Sequence, residues 1–424
     1  MSIGKDIARK IYRYGRGIIR NNVFLREHAA AARTKIKNSI YTRYSDKTPV
    51  DDKLCMFEAF NGRNYSDSPK AVYLRMLNDD KYKDYHFVWA FGEPDKFRFL
   101  EKNRNTKVVE YQSKEYMKAY AAAKYWFTPS RLPDYIVPKE GQRYVQFWHG
   151  TPLKRLGFDI EVKGKNALHT VDEWSRMYQY DAGRYAYMVS PSAFTTEKYI
   201  SAFGLKSIGK DKCILETGYP RNDALFTFDD AYVEGLRKEL GIPDGKKVIL
   251  YAPTWRDDQY KVGTGYSYKT AVSFDRLKEE FGDEYVILFR AHYLIAQAID
   301  LNKYEGFVYN VSKYSDINDL YILADMIITD YSSVFFDYAN LKRPMLFYMY
   351  DLDDYKSNMR DFYIDLGELP GPVITKEDDL IAEIKSIGTY WDRYSDKYKA
   401  FNGKFNYLDD KDSSARVLEK VIEG

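Results

Sequence analysis

Cysteine and histidine are scarce in this sequence, and long apolar runs are missing. Two cysteines occur in 424 residues, Cys55 and Cys213, each among apolar neighbours. That count excludes a disulfide framework, and no Cys/His pair has metal-ligand spacing, so no metal is expected. Both thiols are expected to pack as small hydrophobes in a reducing compartment. No stretch approaches the roughly 18 consecutive apolar residues of a membrane-spanning helix. The N-terminus lacks the ~7–15-residue apolar segment of a secretory signal, so the chain is expected to stay inside the cell. Gly-x-Ser-x-Gly is also absent, which argues against Ser/His/Asp hydrolysis.

What is present is a chain too long for one core and suited to two domains. Its 45% hydrophobic and 30% charged residues are ordinary for folded protein. A net charge of +3 hides an asymmetry: residues 1–47 hold 12 Lys/Arg against 3 Asp/Glu, and the rest holds 53 against 59. A basic arm on a mildly acidic body implies an anionic partner. Within the arm, Ile3, Ile7, Ile11, Tyr14 and Ile18 recur three or four apart, with Lys5, Arg9, Arg13, Arg16 and Arg20 between them. Such a helix suits an anionic membrane surface, where each cation adds roughly 1 kcal/mol. The alternatives are a helix packed on the body through its isoleucines, and nucleic acid. No nucleic-acid-binding module accompanies the charge, so no nucleic-acid partner is expected.

Beyond residue 50 one theme repeats. A short apolar run ends in Gly, Pro, Ser or a charge, and a helical pattern follows, as in "KLCMFEAFNGRNYSDSPKAVYLRML" and "DMIITDYSSVFFDYANLKRPMLFY". That alternation predicts βαβ units and parallel sheets covered on both faces. Gly and Pro in "RKELGIPDGKKVIL" precede a fresh strand, which puts a domain boundary near residue 240. The expected layout is a basic helical arm (1–47) and two Rossmann-like domains facing a cleft (48–240 and 241–424). The second carries a helical tail from about residue 375 that packs back across the hinge.

Polar residues cluster at the ends of the predicted strands, where ligands bind in such sheets. "YVQFWHGTPLKRLG" ends a strand at His149. Gly150 permits close approach, Thr151-Pro152 forces a turn, and Lys154 and Arg155 bring two cations. An imidazole there suits a general base. "VILFRAHY" puts Arg290 and His292 on alternate positions past another strand, either a pair facing one anionic ligand or a structural strand end. "ILYAPTWRDD" offers Thr254, with Arg256 as either a site cation or a surface ion pair. "MIITDYSSVFFDYANL" reads as strand Met326–Thr329, a turn, and a helix from Ser332 or Ser333, a phosphate site or simple capping. Asp337, one turn on, is a candidate acceptor for a sugar hydroxyl. Upstream, Ser315 is the expected N-cap of the helix carrying Ile317, Leu320, Tyr321 and Ala324.

"FEAFNGRNYSDSPKAVY", "FWHGTPLKRLGFD", "SPSAF", "TGYPRND", "YAPTWRD", "FRAH" and "SDINDLYILADMIITDYSSVFFDYANLKRPMLFY" occur in the order seen in the CDP-glycerol glycerophosphotransferases, which prime or extend teichoic acids and related polymers. The resemblance runs from about Met56 to Tyr350. It implies a GT-B fold and transfer of an alditol phosphate from CDP-glycerol, or CDP-ribitol, to an acceptor hydroxyl with release of CMP. No cofactor is implied. The acceptor would be a prenyl-diphosphate-linked saccharide or a poly(alditol phosphate), met at the cytoplasmic face of the membrane. His149 and His292 match the family's functional pair, and Ser332 and Ser333 its donor-phosphate contacts. Gly150, Thr151, Lys154, Arg155, Arg221 of "TGYPRND", Thr254, Arg290 and Asp337 complete the expected substrate-binding set. The arm, about fifty residues, is shorter than the extension of some polymerases of that family. A nucleotide-sugar transferase of the same fold and a non-catalytic polymer binder are the rival readings.

Overall fold

The computed structural model describes residues 23–160, 171–254, 260–261, 265–266, 270–291, 301–353 and 362–424. The first sheet comprises β1 (Asp51–Phe57), β2 (His86–Phe91), β3 (Thr106–Glu110), β4 (Ala123–Thr128), β5 (Arg143–Gln146), β6 (Tyr187–Ser190) and β7 (Ile214–Glu216). After it comes β8 (Lys247–Ala252), and a two-stranded hairpin, β9 (Tyr260–Lys261) with β10 (Gly265–Tyr266), stands apart. The second sheet joins β8 to β11 (Tyr285–Phe289), β12 (Val308–Asn310), β13 (Met326–Thr329), β14 (Met345–Tyr348) and β15 (Val373–Ile374). Spatial orders are β3-β2-β1-β4-β5-β6-β7 and β12-β11-β8-β13-β14-β15. Both are doubly wound, with the winding reversing between β1 and β4 and between β8 and β13. At such a switch point the flanking helices diverge and leave a crevice beyond the strands' carboxyl ends.

Burial on both faces explains the continuous apolar runs. Every residue of β11 and β13 is buried, as is β8 after Lys247. Parallel register pairs Phe57 with Trp89 on one side and Phe127 on the other. Their rings therefore stack across three strands at 5.2 and 5.1 Å, and Phe147 extends the row 6.1 Å from Phe127. Each such ring contributes roughly 1.5–3 kcal/mol of burial. The abundant tyrosine has a structural use here. Tyr73, Tyr116, Tyr120, Tyr144, Tyr185 and Tyr199 are fully buried with their hydroxyls hydrogen-bonded.

The chain passes from one core to the other along Pro220–Phe226, a run of 3₁₀ turns. Tyr219 lies in the first core, and Leu225, Leu236 and Ile242 in the second. At the C-terminus the helix Tyr390–Phe405 packs on the second sheet through Phe401 and Phe405. Val417, Leu418 and Val421 then insert into the core of the first. Asp223 accepts from the backbone N–H groups of Ser413 and Ser414, both at 3.0 Å, which fixes that return.

Of the arm, the helix Val23–Lys47 is described, and the stripe from Ile3 to Ile18 lies outside the described residues. Buried Tyr41 packs edge-on to Tyr135 at 6.5 Å, while Ile36 is 61% exposed. The helix Ile317–Leu323 is capped by Asp316, whose carboxylate accepts from Asn318 N–H at 3.2 Å, and not by Ser315. Both residue types cap well, and the chain turns one residue later than the serine suggested.

Candidate active site

His149 is presented by a strained turn after β5. Gln146 is fully buried; its Oε1 accepts from Trp148 N–H at 2.8 Å, and its amide donates to Ser130 O and Tyr144 Oη, both at 3.2 Å. This side chain holds Trp148 at φ +54°, a left-handed conformation costing a non-glycine residue on the order of 1 kcal/mol. The turn swings His149 over the carboxyl ends of β4 and β5, stacked on Trp148 at 4.4 Å and edge-on to Phe60 at 6.4 Å. Its Nδ1 lies 3.2 Å from the Pro129 carbonyl. A carbonyl only accepts, so Nδ1 carries the proton and Nε2 keeps a free lone pair. Desolvation by the surrounding protein pushes the imidazole pKa below its ordinary 6.5, the Pro129 bond opposes this, and the charge of Arg221 adds to the lowering. The ring is neutral at pH 7, and it is accessible to solvent.

Gly150 brings the two sheets' loops together. A Cβ on it would sit 2.8 Å from Ser333 Oγ, so the turn after β5 and the turn after β13 touch. Thr151 behind it is 1% exposed. Lys154 and Arg155 are half-buried on a segment clasped by residues 362–364. There Tyr363 N–H donates to Leu153 O at 2.8 Å, and Tyr363 Oη accepts from Leu156 N–H at 3.1 Å.

On the facing side, buried Asp330 ties the ends of β8 and β13. Its Oδ1 accepts from Thr254 N–H at 2.8 Å and Tyr331 N–H at 2.6 Å. Ser333 heads the short helix Val334–Tyr338 with no side-chain cap bond, and Ser332 and Ser333 are both half-buried. Arg290 follows β11 and donates through Nη1 to Val311 O at 3.2 Å and Tyr314 O at 2.9 Å. Two backbone carbonyls therefore hold its guanidinium at the strand end. His292 and Arg256 lie outside the described residues.

Arg221 and Asp337, both expected to meet substrate, meet each other. Arg221 Nε and Nη2 donate to the two oxygens of Asp337, each at 3.0 Å, and Asn222 adds a third bond at 3.1 Å. Sequence reading missed Glu58 as well. It directly follows β1, fully buried, and its Oε2 accepts from Tyr116 and Tyr120 hydroxyls at 3.0 and 3.1 Å. Burial pushes its carboxyl up to about 7 against those bonds. The signal was a lone carboxylate closing an apolar strand in "CMFEAF".

The family model for CDP-glycerol:poly(glycerophosphate) glycerophosphotransferase matches residues 40–423. The chain is 40% identical to a teichoic acid poly(glycerol phosphate) polymerase of Staphylococcus epidermidis, over 91% of its own length and 52% of that protein's. It therefore spans about half of that relative, and the same share of a Bacillus subtilis polymerase. A teichoic acid glycerol-phosphate transferase of Staphylococcus aureus is 38% identical, with 92% and 98% of the two chains covered. The solved wall teichoic acid polymerase TagF superposes with a TM-score of 0.82 at 38% identity, covering 94% of this chain and 95% of that one. The expected α/β architecture of two parallel sheets is thus shared with a solved relative. The chain belongs to the CDP-glycerol:poly(glycerophosphate) glycerophosphotransferase family.

Proposed function

We propose that the protein transfers glycerol phosphate from CDP-glycerol to a hydroxyl of a growing poly(glycerol phosphate) or lipid-linked acceptor. The acceptor oxygen attacks the phosphorus that bears the glycerol. The new O–P bond forms, the bond to the CMP phosphate oxygen breaks, and CMP leaves. The acceptor proton passes to His149 Nε2, a contribution of about 10²–10⁴ in rate for a positioned base. The observation that carries this reading is the Pro129 bond to Nδ1, which leaves Nε2 free in a neutral, accessible ring, and the next residue, Gly150, meets Ser333. Arg290, Ser332, Ser333 and His292 are assigned to the diphosphate, where charge develops on the leaving CMP. Gly150, Thr254, Lys154 and Arg155 shape the same cleft. In this scheme residues 48–240 receive the acceptor and residues 241–424 hold the donor. The cationic arm, with Ile36 exposed on its described part, rests on an anionic membrane surface and brings the enzyme to lipid-linked acceptor.

Relatives named for glycerol phosphate support glycerol as the transferred alcohol. The test is CMP release from CDP-glycerol and CDP-ribitol in parallel, with a prenyl-diphosphate disaccharide acceptor, bare or already carrying glycerol phosphate. CMP from CDP-glycerol alone is expected. His149→Ala is expected to abolish release while CDP-glycerol still binds; near-normal turnover in that variant would end the base assignment.

A further inference from the structure

Arg221 occupies an unusual place: the crossover between the two cores, with groups of both sheets converging on it. From the second sheet's side, Asp337 takes it in a bidentate fork. From the first, Ser68 Oγ accepts from its backbone N–H at 3.3 Å, and Asp67 lies 3.8 Å from Nη1. Asn318 donates to its carbonyl. Its guanidinium lies on the Tyr219 ring, 4.0 Å from the centroid. The Tyr219 hydroxyl is 2.6 Å from that of Tyr199, which donates to the Gly150 carbonyl at 3.2 Å. A continuous path thus runs from Asp337, four residues after Ser333, through Arg221, Tyr219 and Tyr199 to the residue after His149.

We infer that the Arg221–Asp337 pair is a positioning device that fixes the Ser332–Ser333 turn against the His149–Gly150 turn, and that neither side chain is a substrate contact. Both oxygens of Asp337 are engaged by Arg221 and Asn222. Arg221 is 4% exposed and Asp337 7%, so a ligand reaching them would have to displace a buried ion pair. Removing one partner of such a pair leaves the other uncompensated, so it is held firmly. A planar fork also fixes direction as well as distance, which a lysine cannot do. The chemistry needs that precision, because the base is on one sheet and the proposed diphosphate contacts are on the other. A misplacement of about 1 Å costs on the order of 10²-fold in rate.

The test compares Asp337→Asn and Arg221→Lys with the parent chain, in two readings. Amide hydrogen exchange at residues 148–151 and 331–338 is expected to speed up about tenfold or more in both variants, beyond any change at the β1 and β11 amides. In CMP release, kcat is expected to fall about 10²-fold with KM for CDP-glycerol held within about threefold. A rise in KM with kcat intact would make Arg221 a donor contact and overturn the inference. So would unchanged exchange in both segments. Should Asp337→Asn fail to fold, Arg221→Lys, which keeps the charge and loses the fork, gives both readings. The kinetic reading rests on the proposed transfer. If the parent chain releases no CMP, that proposal fails and hydrogen exchange alone decides this one.

Discussion

Replacing Glu58 with glutamine tests how the first sheet's core tolerates a carboxyl. Glu58 is fully buried, bonded by Tyr116 and Tyr120 through Oε2, and without a partner at Oε1. Burial raises its pKa from 4.5 to about 7. A raised carboxyl pKa means the folded state keeps a proton that the unfolded chain releases. Stability from this group is therefore full below pH 4.5 and is lost as pH rises through about 7. Integrating the proton linkage from pH 5 to pH 8 gives a loss of about 2.5 kcal/mol. Glutamine keeps the shape and an oxygen for the two tyrosines but never ionises. Its NH₂ at the Oε1 position lacks an acceptor, at about 1–3 kcal/mol, but that cost is the same at every pH. The readout is thus the difference between variant and parent stability at the two pH values. Glu58→Gln is expected to gain about 2.5 kcal/mol on the parent between pH 5 and pH 8. That corresponds to about 5–10 °C in melting temperature for a domain of this size. Asp67, Asp223 and Asp409, pushed up to about 6, 6 and 7 by burial, act in the same direction in both proteins and cancel. A variant-minus-parent difference that does not change with pH would refute the reasoning.

Other outcomes follow from the cleft. The acid limb of kcat/KM is expected to have its midpoint below 6.5, because His149 is held neutral; removing the nearby charge with Arg221→Met moves that limb to higher pH, whereas Arg221→Lys, which also breaks the fork but keeps the charge, leaves it in place. A limb that does not move would show that the two groups are not coupled. Gly150→Ala drives a Cβ to 2.8 Å from Ser333 Oγ and is expected to lower kcat. Adding Ser333→Ala, which leaves only a Cβ at 3.4 Å, is expected to restore part of the melting temperature that Gly150→Ala loses; no restoration of stability would refute the contact. Gln146→Leu removes the acceptor that holds Trp148 left-handed and is expected to lower kcat more than it changes donor affinity, read by the split between kcat and KM.

Some of this was legible in the residues alone. Period, punctuation and the buried runs of Val, Ile, Leu and Phe determined that the chain forms parallel α/β sheets. A strand over Met326–Thr329 and a helix headed by Ser333 follow from apolar continuity and a serine turn, and the structure has both. The proposal of a role for His149 also started from local sequence, where a scarce histidine stands as an apolar run gives way to Gly-Thr-Pro. Tertiary structure decided what no spacing encodes. Which nitrogen of His149 carries the proton depends on Pro129, twenty residues away on the neighbouring strand's loop. Arg221 and Asp337 look like free charges one at a time. They become a buried pair only because the crossover lays residue 221 beside a helix 116 positions later. Glu58 reads as a strand-end charge until two tyrosines of the helix Lys114–Ala122 close over it. Local pattern sets which elements form, because backbone preference and burial act over a few residues. Protonation and pairing are set by long-range neighbours, because Coulomb and desolvation terms depend on distance in space and not along the chain.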